Sequence, residues 1–424
     1  MDEIEIKPLG HPIAAEIRVP GSKSITNRAL LIAAMAPGRS ELEGTLFSDD
    51  TRYMIGALQQ LGFVVEADEA RERIVVEGRG GEIPAHSADL FVGGAGTAIR
   101  FLAGFLTLGR GRFRLDGNAR MRARPIGEMV DALRELGVNA YTELGNQCPP
   151  IVVDMSGQGF EGGSCSVDAS RSSQFVSGLL LPAPLWRHGL TLKVSGAAGK
   201  PFVAMTLKLM AAWGARSRTE GDSIVVPGGQ KYLPREFAIE VDASNAGYFA
   251  AAALLCGGAV QIRNLAVDSV QGDAAFLELL ERMGARLIRH PESVEVQGTG
   301  RFAGVDADMS AMPDMVPTLA ALAPFATSPT RIRNVGFIRH HESDRLRALA
   351  TELRRLGADV QELEDGLAIE PSALKPAAVE TYDDHRIAMA FAVVGLKLPG
   401  VRIRNPGCVA KTYPNFFRDL AALG

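Results

Sequence analysis

The sequence predicts a repeat protein of the α/β (α+β) class, six units of about seventy residues folded as two halves. Three observations carry this. An amphipathic helix ending in a large apolar residue and glycine, then a strand, a polar turn and a second strand, recurs from ALQQLGFVVEADEARERIVVEG to ELRRLGADVQELEDGLAIEP. The helix-ending glycines Gly62, Gly137, Gly214, Gly284 and Gly357 stand 70–77 residues apart, and the chain stops 67 residues further on at an equivalent, Gly424. Such regular self-similarity is the signature of repeated structural units. At 46% hydrophobic and 22% charged, 424 residues also suffice for substantial cores.

Each element follows from local chemistry. Glycine at a helix end adopts the left-handed conformation that satisfies the last carbonyls and turns the chain. Runs such as ARLIRH and VEVQG alternate as a sheet with one buried face requires. Residues 2–19 hold two strand-like runs with no preceding helix, whereas the sixth unit ends where its hairpin should begin. The N-terminus is therefore expected to complete the last unit. Turn residues near Pro20-Gly21 and Pro234-Arg235 mark two crossings, giving one domain over 21–236 and a second over 1–20 plus 237–424. A cleft between the domains is the expected ligand site.

The balance of 45 basic and 49 acidic residues, a net charge of −4, argues against a general nucleic-acid binder. The most apolar stretch, GYFAAAALLCGG, is too short to span a bilayer, and MDEIEIKPLG is not a signal peptide, so a cytoplasmic protein with no membrane partner is expected. Cys148, Cys165, Cys256 and Cys408 lack metal-ligand spacing and read as inert thiols. His340 and His341 are adjacent and face apart, so no metal site is expected.

The chemistry concentrates where basic, hydroxyl and glycine residues open helices. PGSKSITNRALLIAA brings Lys23, Ser24 and Arg28 to an apolar helix suited to an anion, without the spacing of a Walker A loop. GGAGTAIRFLAGFL offers Gly96 for close backbone approach and Thr97 as a helix cap. DGNARMRARPIG supplies Arg124, whose guanidinium fork suits carboxylate or phosphate. DASRSSQFVSGLLL adds Ser172, Ser173 and Gln174. MPDMVPTLAALA contributes Asp314, RHHESDRLRALATEL contributes His341, Glu342 and Arg345, YDDHRIAMAFAV contributes His385 and Arg386, and GCVAKTYPNFFRDL contributes Lys411. Asp344, Asp383 and Asp384 read as helix caps or arginine partners. Cations facing the carboxylates Asp314 and Glu342 describe a polyanionic substrate that also needs proton transfer. Group transfer from a phosphorylated donor fits better than hydride transfer, because no GxGxxG follows a strand.

Taken together, GSKSITNRALLIAA, GGAGTAIRFL, RPIG, SSQF, DASNAGYF, HESDRL, DDHRIAMAFAV and VAKTYP resemble, in order and across nearly the whole chain, the enolpyruvyl transferase family. The match is nearest the branch that acts on shikimate 3-phosphate. The resemblance implies a two-domain inside-out α/β barrel of six βαβαββ repeats, three per domain, working as a monomer without a cofactor. It also implies enolpyruvyl transfer from phosphoenolpyruvate to the 5-hydroxyl of shikimate 3-phosphate in aromatic amino acid biosynthesis, and binding of glyphosate. By position, Lys23, Gly96, Arg124, Gln174, Arg345, His385, Arg386 and Lys411 would hold phosphoenolpyruvate. Lys23, Ser24, Arg28, Ser172, Ser173, Gln174, Asp314 and His341 would hold shikimate 3-phosphate, and Lys23, Asp314 and Glu342 would be catalytic. The chain departs from the family pattern at Gly94, Gly199, Phe202, Phe337 and His341, mostly on the acceptor side. The alternatives are an enolpyruvyl transferase for another polyhydroxylated acceptor, or a non-catalytic scaffold that binds phosphometabolites.

Overall fold

A computed structural model describes residues 2–157, 160–196, 199–265 and 269–424. The chain divides into two compact units, Gly21–Ile239 and Met1–Pro20 with Glu240–Gly424. Among the described residues, no helix is long and apolar enough to cross a membrane.

The second repeat shows the βαβαββ unit most completely. Strand Ser87–Phe91 leads through helix Gly96–Phe105 to the parallel strand Arg112–Asp116, a right-handed crossover being the usual way to join parallel neighbours. Helix Gly127–Glu135 follows, and the hairpin Asn139–Thr142 and Ile151–Asp154 closes the sheet antiparallel to Arg112–Asp116. The third repeat repeats this order, with Gly162–Asp168 parallel to Gly189–Ser195. All five helix-ending glycines followed by a hairpin have positive φ, between 88° and 123°, as the recurring signature requires.

The strand that would open the first repeat comes instead from the far end of its unit. Glu236–Ala238 pairs in parallel with Glu41–Glu43, and the Ile239 N–H bonds the Glu43 carbonyl at 2.8 Å. The chain therefore leaves this unit after Ile239, not after residue 236 as the turn residues suggested.

In the other unit the N-terminus serves two sheets, which corrects the expectation that it completes only the last repeat. Glu3–Glu5 does pair with Arg402–Arg404 in the sixth sheet. Ile13–Ile17 instead runs parallel to Gly258–Arg263 in the fourth. Its burial pattern explains why: Ile13 and Ile17 point into the core while Ala14 and Glu16 on the opposite face are exposed. Gly258 has φ +99°, and a Cβ there would lie 2.1 Å from the Ile13 carbonyl oxygen, so this approach requires glycine.

Within each unit the opening helices of the three repeats pack on one another and are buried almost throughout. They are Lys23–Met35, Gly96–Phe105 and Gln174–Leu180 in one unit, and Ala243–Cys256, Val316–Leu322 and His385–Gly395 in the other. A helix apolar on all sides belongs in a protein interior. Their first turns hold Lys23, Ser24, Gly96, Thr97, Gln174, His385 and Arg386, while Asp314 lies in the turn just before Val316.

Candidate functional site

In the unit Met1–Pro20 with Glu240–Gly424, the first turns of the three central helices meet through charged side chains. Arg386 Nη2 donates to Asp314 Oδ2 at 2.7 Å and lies 3.4 Å from Ser244 Oγ; Nη1 lies 3.4 Å from the Tyr248 hydroxyl. Arg345, 1% exposed, is more heavily committed. Its Nη1 donates to Asp314 Oδ1 at 2.8 Å, its Nη2 to Glu342 Oε2 at 2.9 Å and its Nε to Asp384 Oδ2 at 2.8 Å. His341 Nδ1 lies 3.2 Å from Arg345 Nη1, and the Lys411 ammonium is 3.4 Å from the other Glu342 oxygen. Five of the residues singled out in the sequence, Asp314, Glu342, Arg345, Arg386 and Lys411, thus form one continuous ionic network.

Burial alone would push the Asp314 carboxyl up, but the charges of Arg386, Arg345 and His341 outweigh it and hold Asp314 down to about 2. Asp314 is therefore an anion at neutral pH, with both oxygens engaged by guanidinium groups. An anionic ligand that draws Arg386 or Arg345 away leaves the desolvation uncompensated and makes the same carboxylate a stronger base.

Asp384 works in two ways at once, accepting from the Arg386 backbone N–H as a helix cap and from Arg345 as a counter-ion. Asp344 caps its helix through the Arg347 N–H, as its position predicted, whereas Asp383 is no cap and accepts from Asn405 Nδ2. His385 is 1% exposed, with its ring 3.8 Å from Asp384, so it lies within the supporting layer of the network.

The unit Gly21–Ile239 carries a second cluster at the corresponding helix starts. Gln174 Nε2 donates to Thr97 Oγ1 at 3.2 Å, so Thr97 binds a side chain in place of capping its helix; Ala95 occupies the cap. Arg100 Nη1 donates to Gln174 Oε1 and to the Gly96 carbonyl, its Nη2 donates to the Pro125 carbonyl, and the guanidinium stacks 5.4 Å from the Phe175 ring. Arg124 is 6% exposed, and its Nε has no hydrogen-bond partner among the described residues. A Cβ on Gly96 would lie 2.6 Å from Arg124 Nη1 and 2.9 Å from Arg100 Nη1. Two guanidinium groups therefore close on a helix start whose backbone dipole also favours an anion.

Lys23 opens its helix and reaches Asp50 at 3.3 Å. Arg28, fully buried, ties three helices together by donating to Thr206 Oγ1 at 2.8 Å, Ser177 Oγ at 3.3 Å and the Ser24 and Phe202 carbonyls. With no carboxylate partner among the described residues, burial pulls this guanidinium down to about 9. Ser24 is half-buried, Ser173 is buried, and Ser172 Oγ accepts the Gln174 N–H. Gly199 stands at φ +62°, and a Cβ there would lie 2.6 Å from Ser173 Oγ, so this backbone favours glycine at that position. Two other departures touch each other: the rings of Phe337 and His341 pack edge to face at 5.8 Å. The thiols stay out of the chemistry, since burial pushes Cys165 and Cys408 up to about 12 and Cys256 up to about 11.

Several participants escaped the sequence reading. Arg100 sits four residues after Gly96, the spacing that places both on one helix face, and that was the available signal. Ser244 and Tyr248 lie in DASNAGYF, a motif of the resemblance that gave neither a role, and Asp50 carried no signal; only tertiary packing brings them to the charged groups.

Helix-start arginines and carboxylates on a doubled three-repeat framework define a transferase of the enolpyruvyl type. The family model described as EPSP synthase (3-phosphoshikimate 1-carboxyvinyltransferase) matches residues 9–420. A 3-phosphoshikimate 1-carboxyvinyltransferase of Trichormus variabilis is 47% identical over 419 residues, covering 98% of each chain. The chloroplastic 3-phosphoshikimate 1-carboxyvinyltransferase 1 of Nicotiana tabacum is 42% identical over 435 residues, covering 98% of this chain and 84% of its own. The solved EPSP synthase of Acinetobacter baumannii superposes with a TM-score of 0.84 at 26% identity, covering all of this chain. The chain belongs to the EPSP synthase family.

One substitution tests the second cluster directly. Gly96→Ala displaces Arg124 and Arg100 from their present positions and is expected to raise KM for phosphoenolpyruvate by about 10- to 100-fold, the loss of one charge-assisted hydrogen bond of roughly 1.5–3 kcal/mol. Steady-state kinetics with phosphoenolpyruvate varied measures this; an unchanged KM would remove the cluster from donor binding.

Proposed function

We propose that this chain transfers the enolpyruvyl group of phosphoenolpyruvate to the 5-hydroxyl of shikimate 3-phosphate, giving 5-enolpyruvylshikimate 3-phosphate and inorganic phosphate. The observation that carries the reading is Asp314 shared by Arg345 and Arg386, with Glu342 between Arg345 and Lys411. Such a network can exchange internal ion pairs for the carboxylate and phosphate of a small trianion while releasing a base beside it.

In the addition step the acceptor oxygen bonds to C2 of phosphoenolpyruvate, its proton passes to Asp314, and C3 gains a proton to become a methyl group. Glu342 and Lys23 are the candidates for donating that proton. In the elimination step the bond from C2 to the phosphate oxygen breaks, a C3 proton returns to the group that protonated C3 to restore the methylene, and phosphate departs against arginine and lysine. Guanidinium groups that face the leaving phosphate stabilise charge where it develops. Arg28, Ser24, Ser172, Ser173, Gln174 and His341 are assigned to the acceptor, and Gly96, Arg124 and His385 to donor binding or its support.

Phosphate release with phosphoenolpyruvate and either shikimate 3-phosphate or shikimate tests the proposal. Release that depends on shikimate 3-phosphate, together with an enol ether seen by proton NMR, is expected. Turnover with neither acceptor refutes the reading, and preference for shikimate refutes the assigned acceptor.

A further inference from the structure

Behind the Arg386–Asp314 pair lies a carboxyl group that the proposed reaction does not use. Asp273, in the short turn Gly272–Ala275, is 5% exposed. Its Oδ2 accepts from Ser244 Oγ at 2.7 Å, while its Oδ1 has no hydrogen-bond partner among the described residues. A serine hydroxyl has one proton to donate. With that proton spent on Asp273, the Ser244 oxygen turns its lone pairs toward Arg386 Nη2 at 3.4 Å, the nitrogen that also donates to Asp314. The four groups form one chain from the buried carboxyl to the proposed base.

We propose that Asp273 is a positioning residue for the donor-binding Arg386: it fixes the Ser244 hydroxyl so that the guanidinium meets an oxygen lone pair, and in its neutral form it leaves the guanidinium charge to the anionic substrate. This rests on Arg386 as a ligand of phosphoenolpyruvate. Burial, and then the charge of Asp314, push Asp273 up to about 7, with Arg386 and the Ser244 hydrogen bond opposing them. Asp242, the N-cap of helix Ala243–Cys256, adds a further negative charge nearby. The Tyr248 hydroxyl of that helix lies on the opposite nitrogen of Arg386, and on the following helix Phe276–Met283 the charged residues Glu278, Glu281 and Arg282 are exposed. Ionisation of Asp273 therefore places a second carboxylate against a guanidinium already shared with Asp314, and donor affinity falls.

The test is KM for phosphoenolpyruvate at saturating shikimate 3-phosphate between about pH 6 and about pH 9 in the full chain, for wild type and for Asp273→Asn. Asparagine keeps an acceptor oxygen for Ser244 and carries no charge. Wild-type KM is expected to rise several-fold through about pH 7 relative to the variant; the donor's own phosphate ionisation is common to both proteins and cancels. Parallel profiles overturn the proposal. Ser244→Ala, a small change, breaks the chain independently and is expected to raise KM at pH values where Asp273 is neutral; an unchanged KM there also overturns it. Absence of any transfer by the wild-type chain is a distinct result and refutes the functional reading itself. Because the folded-state value of this acid is raised, its contribution to stability is full below its unfolded value and falls as pH rises through about 7. Thermal melts against pH are expected to show that loss in wild type and not in Asp273→Asn.

Discussion

Asp314→Asn lowers turnover by about 100- to 10,000-fold, the span of a positioned general base. The substitution preserves shape and leaves both guanidinium groups in place, so the loss falls on kcat. The ordinary expectation for removing a ligand-contacting residue is a rise in KM. Here the opposite sign follows, because Asp314 occupies Arg345 and Arg386 at 2.8 and 2.7 Å and competes with a donor for them. A neutral amide competes for them less well. A profile in which kcat and substrate affinity fall together would instead make Asp314 a binding group.

Arg345→Met destabilises the fold by about 3–5 kcal/mol, the usual cost of removing one partner from a buried ionic network. Arg345 is 1% exposed and Asp384 fully buried. Without the guanidinium, Asp384 is left with the Ser343 hydroxyl, its helix-cap interactions and the His385 ring at 3.8 Å, for a charge that water cannot reach. Methionine fills similar volume, which isolates the electrostatic part. Urea unfolding measures the effect as a lowered midpoint, and adding Asp384→Asn to Arg345→Met is expected to recover part of it. Equal midpoints for wild type and Arg345→Met would show that the network is not load sharing with the core.

Much of this was legible in the sequence because repeats write their periodicity directly. The glycines at 62, 137, 214, 284 and 357 have the positive φ that their place after a helix requires. Strand exchange was less legible: Glu236–Ala238 and Ile13–Ile17 look like local continuations, yet each joins a sheet whose remaining strands lie elsewhere in the sequence. Hydrophobic alternation specifies that a strand has a buried face and leaves open which sheet supplies its partner.

The candidate site divides in the same way. Helix-start motifs placed Asp314, Glu342, Arg345, Arg386 and Lys411 together because each opens or precedes an element of one repeated framework. Supporting residues such as Ser244, Asp273 and Tyr248 match no helix-start pattern of cations or carboxylates, and only their depth gives them a role. Asp384 shows the limit most plainly, since a cap and a buried counter-ion require the same residue type at the same position.

Equilibrium titration of phosphoenolpyruvate into the wild-type chain and Asp314→Asn, with shikimate 3-phosphate present at a neutral pH, tests the central claim that the arginines are held by Asp314 until an anionic donor takes them. Tighter donor binding by Asp314→Asn, in a variant that has lost turnover, is the predicted result; weaker binding would contradict it.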